Sequence, residues 1–370
     1  MTENKNIQRI IIAGGGTGGH IFPAVAIANA LRKIDANIEL LFIGALGKME
    51  MEKVPQAGYQ IKGIDIAGFN RSSLLKNISL PYKLIKSFFQ VKEIFKAFPP
   101  NAVIGVGGYS TYPVLRYAQK KGIPTFIHES NSFAGKSNIL LGKNASKIFV
   151  ASEGMEKFFP ADKIIITGNP VRKIISESTI NRIEGLRFFG LEENKKTILV
   201  TGGSLGSRTI NEVIINHLTD LQALNVQLIW QTGANNSSRY ILAGKSFSRN
   251  VWVEQFIQDI DKAFAAADVV VARAGAMTIA EMCVAGKPTV FVPFPYAAED
   301  HQTANAMRLV NKNAAILIKD EDAHTKLFSA ITNLLMDDEK RKSISKNISS
   351  LAVTNANERI ADEILKTIAK

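Results

Sequence analysis

A single cysteine, Cys283, stands among 370 residues. An intramolecular disulfide and a Cys-rich zinc site are therefore both excluded. No stretch reaches the ~18 consecutive apolar residues of a membrane-spanning helix. The first apolar run, residues 10–13, is far too short for the apolar part of a signal peptide. The expectation is a protein that is soluble, or at most sits on a membrane surface, in a reducing compartment. Acidic residues are also in deficit: 45 Lys and Arg face 33 Asp and Glu, a net charge of +12. That balance favours anionic partners, whether nucleic acid, phosphorylated metabolites or acidic lipid.

What is present is apolar and periodic. Hydrophobic residues make up 46% of the chain, enough for sizeable cores, and the length suits about two domains. Short apolar runs read as strands at 9–13, 38–43, 102–106, 125–128, 147–151 and 164–167. A second series follows at 197–201, 227–230, 251–253, 269–272, 289–292 and 314–318. Segments with apolar residues at helical spacing lie between them, so the expectation is α/β, with parallel sheets covered by helices on both faces. Each series opens alike, "IIIAGGGTGGH" first and "ILVTGGSLGSR" second. Two Rossmann-like domains are expected, 1–173 and 174–354. The polar stretch 168–187 is read as the linker, and a helical tail from about 355 as packing back on the first half.

Strands that run into glycines just before a helix expose backbone N–H groups at the positive end of a helix dipole, where phosphate oxygens bind. Gly14, Gly16 and Gly19 fit G-x-G-x-x-G, but Gly44 stands where a dinucleotide site needs an acid after the second strand. NAD is disfavoured. No GK[ST] follows "GGTGGH", which excludes a Walker A loop. Further loops carry Gly107, Gly108 and Tyr109, and then Gly202, Gly203, Ser204 and Gly206. Three such loops at strand carboxyl ends mark that edge as the ligand-binding one. His128, Glu129, Asn131, Arg172, Arg273, Glu281, Gln302 and Asn305 fall at the same edge. Of these, a carboxylate suits ribose hydroxyls, and amides suit sugar hydroxyls because they both donate and accept.

Residues 71–96 hold six basic side chains against one acid. Within "LPYKLIKSFFQVKEIFKAF", apolar residues recur at three- and four-residue steps. One reading is a core helix with solvated lysines. The other is a helix lying on an anionic membrane surface through Lys83, Lys86, Phe88, Phe89, Lys92 and Phe95. Nucleic acid is disfavoured, because the aromatics form an apolar stripe and are not interleaved for base stacking.

In order along the chain, "GGTGGH", "GVGGYST.P", "HESN..AG", "GNPVR", "GGSLGSR.IN", "ADVVVARAGAMTIAE", "VPFP" and "HQTANA" resemble the MurG glycosyltransferase family. The resemblance covers most of the chain. It implies the GT-B fold, two Rossmann-like domains with the active site in a cleft. It also implies transfer of N-acetylglucosamine from UDP-N-acetylglucosamine to the 4-hydroxyl of the muramoyl sugar of lipid I. The transfer would be inverting and need no metal or other cofactor. The donor contacts it implies are Thr17, Gly18, Gly19, Asn131, Arg172, Ser204, Ile257, Ala276, Met277, Thr278, Ile279, Ala280, Glu281, Gln302 and Asn305. Among these, Ser204 would hold diphosphate, the Ile257 backbone would read uracil and Glu281 would take ribose hydroxyls. Gly15, Gly16, Gly108 and Tyr109 would meet the acceptor. Partners would be the anionic cytoplasmic face of the cell membrane and other cell-wall synthesis proteins, with no nucleic acid. His301 stands where the family commonly has Gln.

Metal-dependent transferases use a DxD pair, and "DID" (259–261) and "DED" (320–322) match that string. Both are read instead as helix starts, since Asp is a favoured cap. For the acid–base step His20 is the candidate general base. The alternatives are that His20 only caps its loop or binds acceptor diphosphate, and that Glu129 is the base. Cys283 is read as core, and His217 and His324 as surface or packing residues.

Overall fold

A computed structural model describes residues 7–68, 77–247 and 250–369. The chain forms two compact units, one running to Arg172 and resuming at Asn355, the other spanning Lys173–Thr354.

In unit 1 the strands are β1 (Arg9–Ala13), β2 (Glu39–Ala45), β3 (Gln60–Ile64), β4 (Ala102–Gly105), β5 (Thr125–Glu129), β6 (Lys147–Val150) and β7 (Ile164–Ile166). They form one parallel sheet in the order β3-β2-β1-β4-β5-β6-β7. Its helices are α1 (Gly18–Ile34), α2 (Glu50–Gln56), α3 (Leu80–Ala97), α4 (Thr111–Lys120) and α5 (Lys136–Gly142). Alternation along β1 feeds two cores: Ile10 and Ile12 face one, Ile11 and Ala13 the other. Both faces are covered by helices, so the strand is apolar throughout and not half polar. Strand β3 lies outside the expected series. It is a sheet edge carrying Gln60, Lys62 and Gly63, so it lacks the unbroken apolar run of a central strand.

Unit 2 begins with α6 (Lys173–Ser176) and α7 (Arg182–Phe188). The stretch read as a linker is therefore about half helical. Asn181 and Glu184 make a reciprocal capping box at the start of α7. A Cβ at Gly185 would lie 2.9 Å from the Ala266 nitrogen, so α7 packs closely on the helix that carries Ala266. Among the polar residues that suggested a linker, Asn181 is this helix's cap, and Glu184 and Arg187 lie on its exposed face. The strands β8 (Thr197–Thr201), β9 (Gln227–Gln231), β10 (Val251–Glu254), β11 (Val269–Ala272), β12 (Thr289–Phe291) and β13 (Ile316–Leu317) form a second parallel sheet, ordered β10-β9-β8-β11-β12-β13. Between and after them run α8 (Arg208–Asn216), α9 (Leu218–Ala223), α10 (Ser237–Phe247), α11 (Ile260–Ala266), α12 (Ala276–Ala285), α13 (His301–Val310), α14 (Ala323–Met336) and α15 (Asp338–Ser349). The tail helix α16 (Ala356–Ile368) belongs to unit 1, where Ile360, Ala361 and Ile364 join the core beneath α1.

Candidate active site

In an open parallel sheet, ligands bind beyond the strand carboxyl ends at the point where strand order reverses. In unit 1 that point lies between β1 and β4, and the loops following those two strands carry Gly14–Gly16 and Gly107–Gly108. The missing side chains mostly make room for protein. A Cβ on Gly108 would strike the Gly15 backbone, and one on Gly107 would lie 2.6 Å from the His20 ring. A Cβ on Gly15 would fall on the carboxyl group of Glu50. Only at Gly16, whose φ of +89° suits glycine, is the space open.

The amides are similarly engaged. Gly14 N donates to Ile43 O at 3.2 Å, Gly15 N to Gly107 O at 3.1 Å, and Gly16 N to Glu50 Oε2 at 2.7 Å. In the first turn of α1 the Gly18 and Gly19 amides have no intrahelical acceptor, the arrangement in which helix N-termini bind anions. Thr17 is the N-cap, and no hydrogen bond from its side chain caps the helix. Two residues into the helix, His20 places Nδ1 3.0 Å from Gly15 O. A carbonyl only accepts, so Nδ1 carries the proton in this contact and Nε2 is the basic nitrogen.

Tyr109 is half exposed, with its ring against the Gly68 backbone. His128 and Glu129 end β5 and are both buried. Burial pushes the His128 imidazole down to about 4, and the nearby His20 acts in the same direction. Both Glu129 oxygens are occupied: Oε1 accepts from Asn131 N (3.1 Å) and Asn131 Nδ2 (3.3 Å), Oε2 from Gly135 N (3.0 Å) and Asn138 Nδ2 (2.9 Å). The carboxylate thus folds the 130–138 loop around itself. Arg172, the last residue of this stretch of unit 1, lies over the Phe22 ring on α1 at 5.2 Å.

In unit 2 the reversal lies between β8 and β11. The loop after β8 exposes Gly203 and Ser204, and Ser204 O accepts from Ala234 N at 3.0 Å. Ser207 caps α8 through its Oγ, which accepts from Ile210 N at 3.3 Å. Ile257 N already donates to Gln231 Oε1 at 3.0 Å, so of its two backbone groups the N–H is engaged within the protein. Glu281 is buried on α12, within the 276–281 segment named from the sequence. On α13, Gln302 Oε1 accepts from Phe294 N (3.0 Å) and Asn305 Nδ2 donates to Ala274 O (3.4 Å). His301 opens that helix, after Glu299 and Asp300 in left-handed backbone conformations.

Both DxD strings stand at helix starts, with Asp259 and Asp322 as the N-caps of α11 and α14, but neither caps through its side chain. Asp259 holds the N-cap position of α11, but its carboxylate pairs with Lys262 at 2.7 Å. Asp320 pairs with Arg273 at 2.5 Å and accepts from Thr209 Oγ1 at 3.0 Å. Arg273 also donates to the Val292 and Pro293 carbonyls, tying the end of β11 to the loop after β12. Among the described residues no group of three or more His, Cys, Asp or Glu side chains is placed to hold a metal ion.

The α3 helix divides the membrane-surface set. Phe89 is 65% exposed and shares one face with Tyr82 and Ile85. Phe95 is 6% exposed and packs edge-on against Tyr117 at 5.1 Å. The expectation that Phe95 meets a membrane is thereby overturned: it lies on the core stripe with Val91, one helical turn away. Phe88 is half-buried. Lys83 and Lys86 both pair with Asp65, at 3.2 and 2.9 Å, and Lys92 is exposed.

Sequence reasoning missed Glu50 and Gln231. Both are buried, and both act on backbone amides far away in sequence. Gly44 was a usable signal for Glu50, since a Cβ there would strike the Glu50 side chain.

Two parallel sheets of this order, each with a glycine loop at its reversal point, are the architecture of GT-B glycosyltransferases. Residues 10–150 match the glycosyltransferase family 28 N-terminal domain and residues 197–363 its C-terminal domain. A curated relative from Parabacteroides distasonis is 50% identical over 98% of this chain and 99% of its own. It is named UDP-N-acetylglucosamine--N-acetylmuramyl-(pentapeptide) pyrophosphoryl-undecaprenol N-acetylglucosamine transferase. The crystal structure of Acinetobacter baumannii MurG superposes with a TM-score of 0.77 at 29% identity, covering 97% of this chain and 99% of that one. A UDP-N-acetylglucosamine 2-epimerase superposes at 0.68 with 15% identity, covering 98% and 96%, a likeness of fold alone. The chain belongs to the MurG family of N-acetylglucosaminyltransferases.

Proposed function

We propose that the protein transfers N-acetylglucosamine from UDP-N-acetylglucosamine to the 4-hydroxyl of the N-acetylmuramoyl sugar of lipid I, with inversion, at the cytoplasmic face of the cell membrane. The observation that carries this reading is full-length identity of 50% to a transferase of that name, with every glycine-loop motif in place. Unit 1 is the acceptor-binding domain and unit 2 the UDP-N-acetylglucosamine-binding domain.

In the reaction, His20 Nε2 takes the proton of the acceptor hydroxyl as its oxygen attacks the anomeric carbon. The bond from that carbon to the β-phosphate oxygen breaks, and UDP leaves with the electron pair. One displacement inverts the centre. Charge developing on UDP is met by helix N-termini and by Arg172, which need no reorganisation as the bond breaks. Gly15, Gly16, Gly108 and Tyr109 are assigned to the acceptor, and Thr17–Gly19, Asn131 and Arg172 to the donor. On unit 2 the donor is assigned to Ser204, the Ile257 carbonyl, residues 276–281, Gln302 and Asn305. Glu129, with both oxygens engaged, is assigned to shaping its loop and His20 to the proton.

Docking at the membrane is assigned to the outward face of α3, where Tyr82, Ile85 and Phe89 lie beside lysines. Among the described residues no helix is long and apolar enough to cross a membrane. The test is UDP release from UDP-N-acetylglucosamine with a lipid I analogue, with and without chelator. Acceptor-dependent release that survives chelation supports the proposal. Release that ignores the acceptor, or conversion of the donor to its 2-epimer, overturns it.

A further inference from the structure

One peptide unit joins two ionisable side chains. The Gly15–Gly16 peptide gives its N–H to Glu50 Oε2 at 2.7 Å and offers its C=O to His20 Nδ1 at 3.0 Å. Glu50 is 1% exposed, and its other oxygen accepts from Ala45 N at 2.9 Å. Three absent side chains permit the arrangement. A Cβ on Gly15 or Gly44 would overlap Glu50, and a Cβ on Gly107 would overlap the His20 ring. Burying a carboxylate beneath a glycine loop is costly in itself. Its place is therefore explained by what it does to the peptide above it.

We infer that Glu50 is a positioning residue for the transfer, acting on His20 through the Gly15–Gly16 peptide. A carboxylate on the N–H side polarises the peptide, which makes the carbonyl a stronger acceptor, because hydrogen bonds in a chain reinforce one another. The carbonyl then holds the proton on Nδ1, fixes the ring and favours the imidazolium that forms when Nε2 takes the acceptor's proton. The logic is that of the carboxylate in a Ser-His-Asp triad, with a peptide interposed between carboxylate and imidazole. It rests on the reading of His20 as base given above. Other titratable and charged groups at the same sheet edge include His128 and Glu129 at the end of β5, Tyr109 after β4, and Arg172. His128 is neutral above about pH 4, and the Glu129 carboxylate is turned into its own loop.

The test is Glu50→Gln in the full-length protein, read in two ways. Imidazole ¹⁵N NMR follows the tautomer and titration of His20. In the variant its pKa falls by about half a unit or more, less than the 1–3 units of a direct charge contact, and the Nδ1–H tautomer is less populated. Kinetics read the pH profile: kcat falls about tenfold or more while KM for UDP-N-acetylglucosamine stays within twofold, and the acid limb moves to lower pH. A His20 titration and tautomer identical to wild type overturn the inference whatever happens to the rate. His20→Ala run alongside separates the two readings. If it keeps near-normal turnover, the base assignment fails, while the NMR shift still decides the coupling. Should Glu50→Gln not fold, Glu50→Asp carries the test, because its shorter carboxylate cannot reach both Ala45 N and Gly16 N. The His20 shift should track loss of the Gly16 bond, read from the Gly16 amide proton, and a His20 titration that does not track it overturns the inference.

Discussion

The side-chain carbonyl of Gln231 accepts the backbone N–H of Ile257 at 3.0 Å, and its amide donates to Thr201 Oγ1 and Gly203 O, each at 3.1 Å. A single buried side chain at the end of β9 thus holds both the loop assigned to diphosphate and the backbone assigned to the base. Gln231→Leu removes all three bonds and leaves the Ile257 N–H with no partner there. Each buried group so stranded costs about 1–3 kcal/mol. We expect UDP affinity, measured by titration calorimetry, to fall about tenfold or more, with kcat at saturating donor less affected. Affinity within twofold of wild type would mean that the two loops are held by other means.

That bond also marks where the sequence stops being legible. Central strands were readable because burial on both faces makes them apolar runs, and β1 and β8 differ little from ideal cases. Edge strand β3 was not, since one of its sides is open and tolerates Gln60 and Lys62. The glycine loops were readable as places of close approach. What approaches was not readable: Glu50 and His20 fill much of that space, and both contacts depend on tertiary placement. On α3, periodicity revealed apolar residues around much of the helix, but only packing against β3 and α4 decides that Phe95 is inside and Phe89 outside.

Glu129 and a general base make opposite demands on one carboxylate. A base needs an oxygen turned to its substrate, whereas Glu129 spends both on four N–H donors. Glu129→Gln replaces one acceptor oxygen with an NH₂ that faces a donor. We expect a loss of about 1–3 kcal/mol in chemical denaturation, with reduced kcat and an unmoved acid limb in the pH profile. Unchanged stability with loss of the acid limb would instead assign the proton transfer to Glu129.

His128 ties folding to pH. Its imidazole is pushed down to about 4 by burial, against about 6.5 in an unfolded chain. Between those values the unfolded chain binds a proton that the folded one does not. The stability it confers is complete above pH 6.5 and is lost as pH falls towards 4, up to ~3 kcal/mol for one such group. Urea unfolding of wild type and His128→Gln at pH 7 and pH 4.5 isolates this share from that of the carboxylates. The wild type should lose more stability on acidification than the variant, and equal losses would show that the buried imidazole does not carry the dependence.

Phe89 and Phe95 lie on one helix, yet should fail in different assays. Phe95 fills a core, so Phe95→Ala should cost about 3–5 kcal/mol of stability. Phe89→Ser removes exposed apolar surface and should leave the melting temperature unchanged while weakening binding to anionic vesicles. Electrostatics adds a third arm, because Asp65 neutralises part of the positive charge on α3 through Lys83 and Lys86. Asp65→Asn releases both lysines, each worth about 1 kcal/mol near an anionic surface. Vesicle binding by that variant should therefore tighten, and the gain should vanish in high salt or on neutral lipid. If Phe89→Ser and Asp65→Asn both bind like wild type, the outward face of α3 is not the surface that meets the membrane.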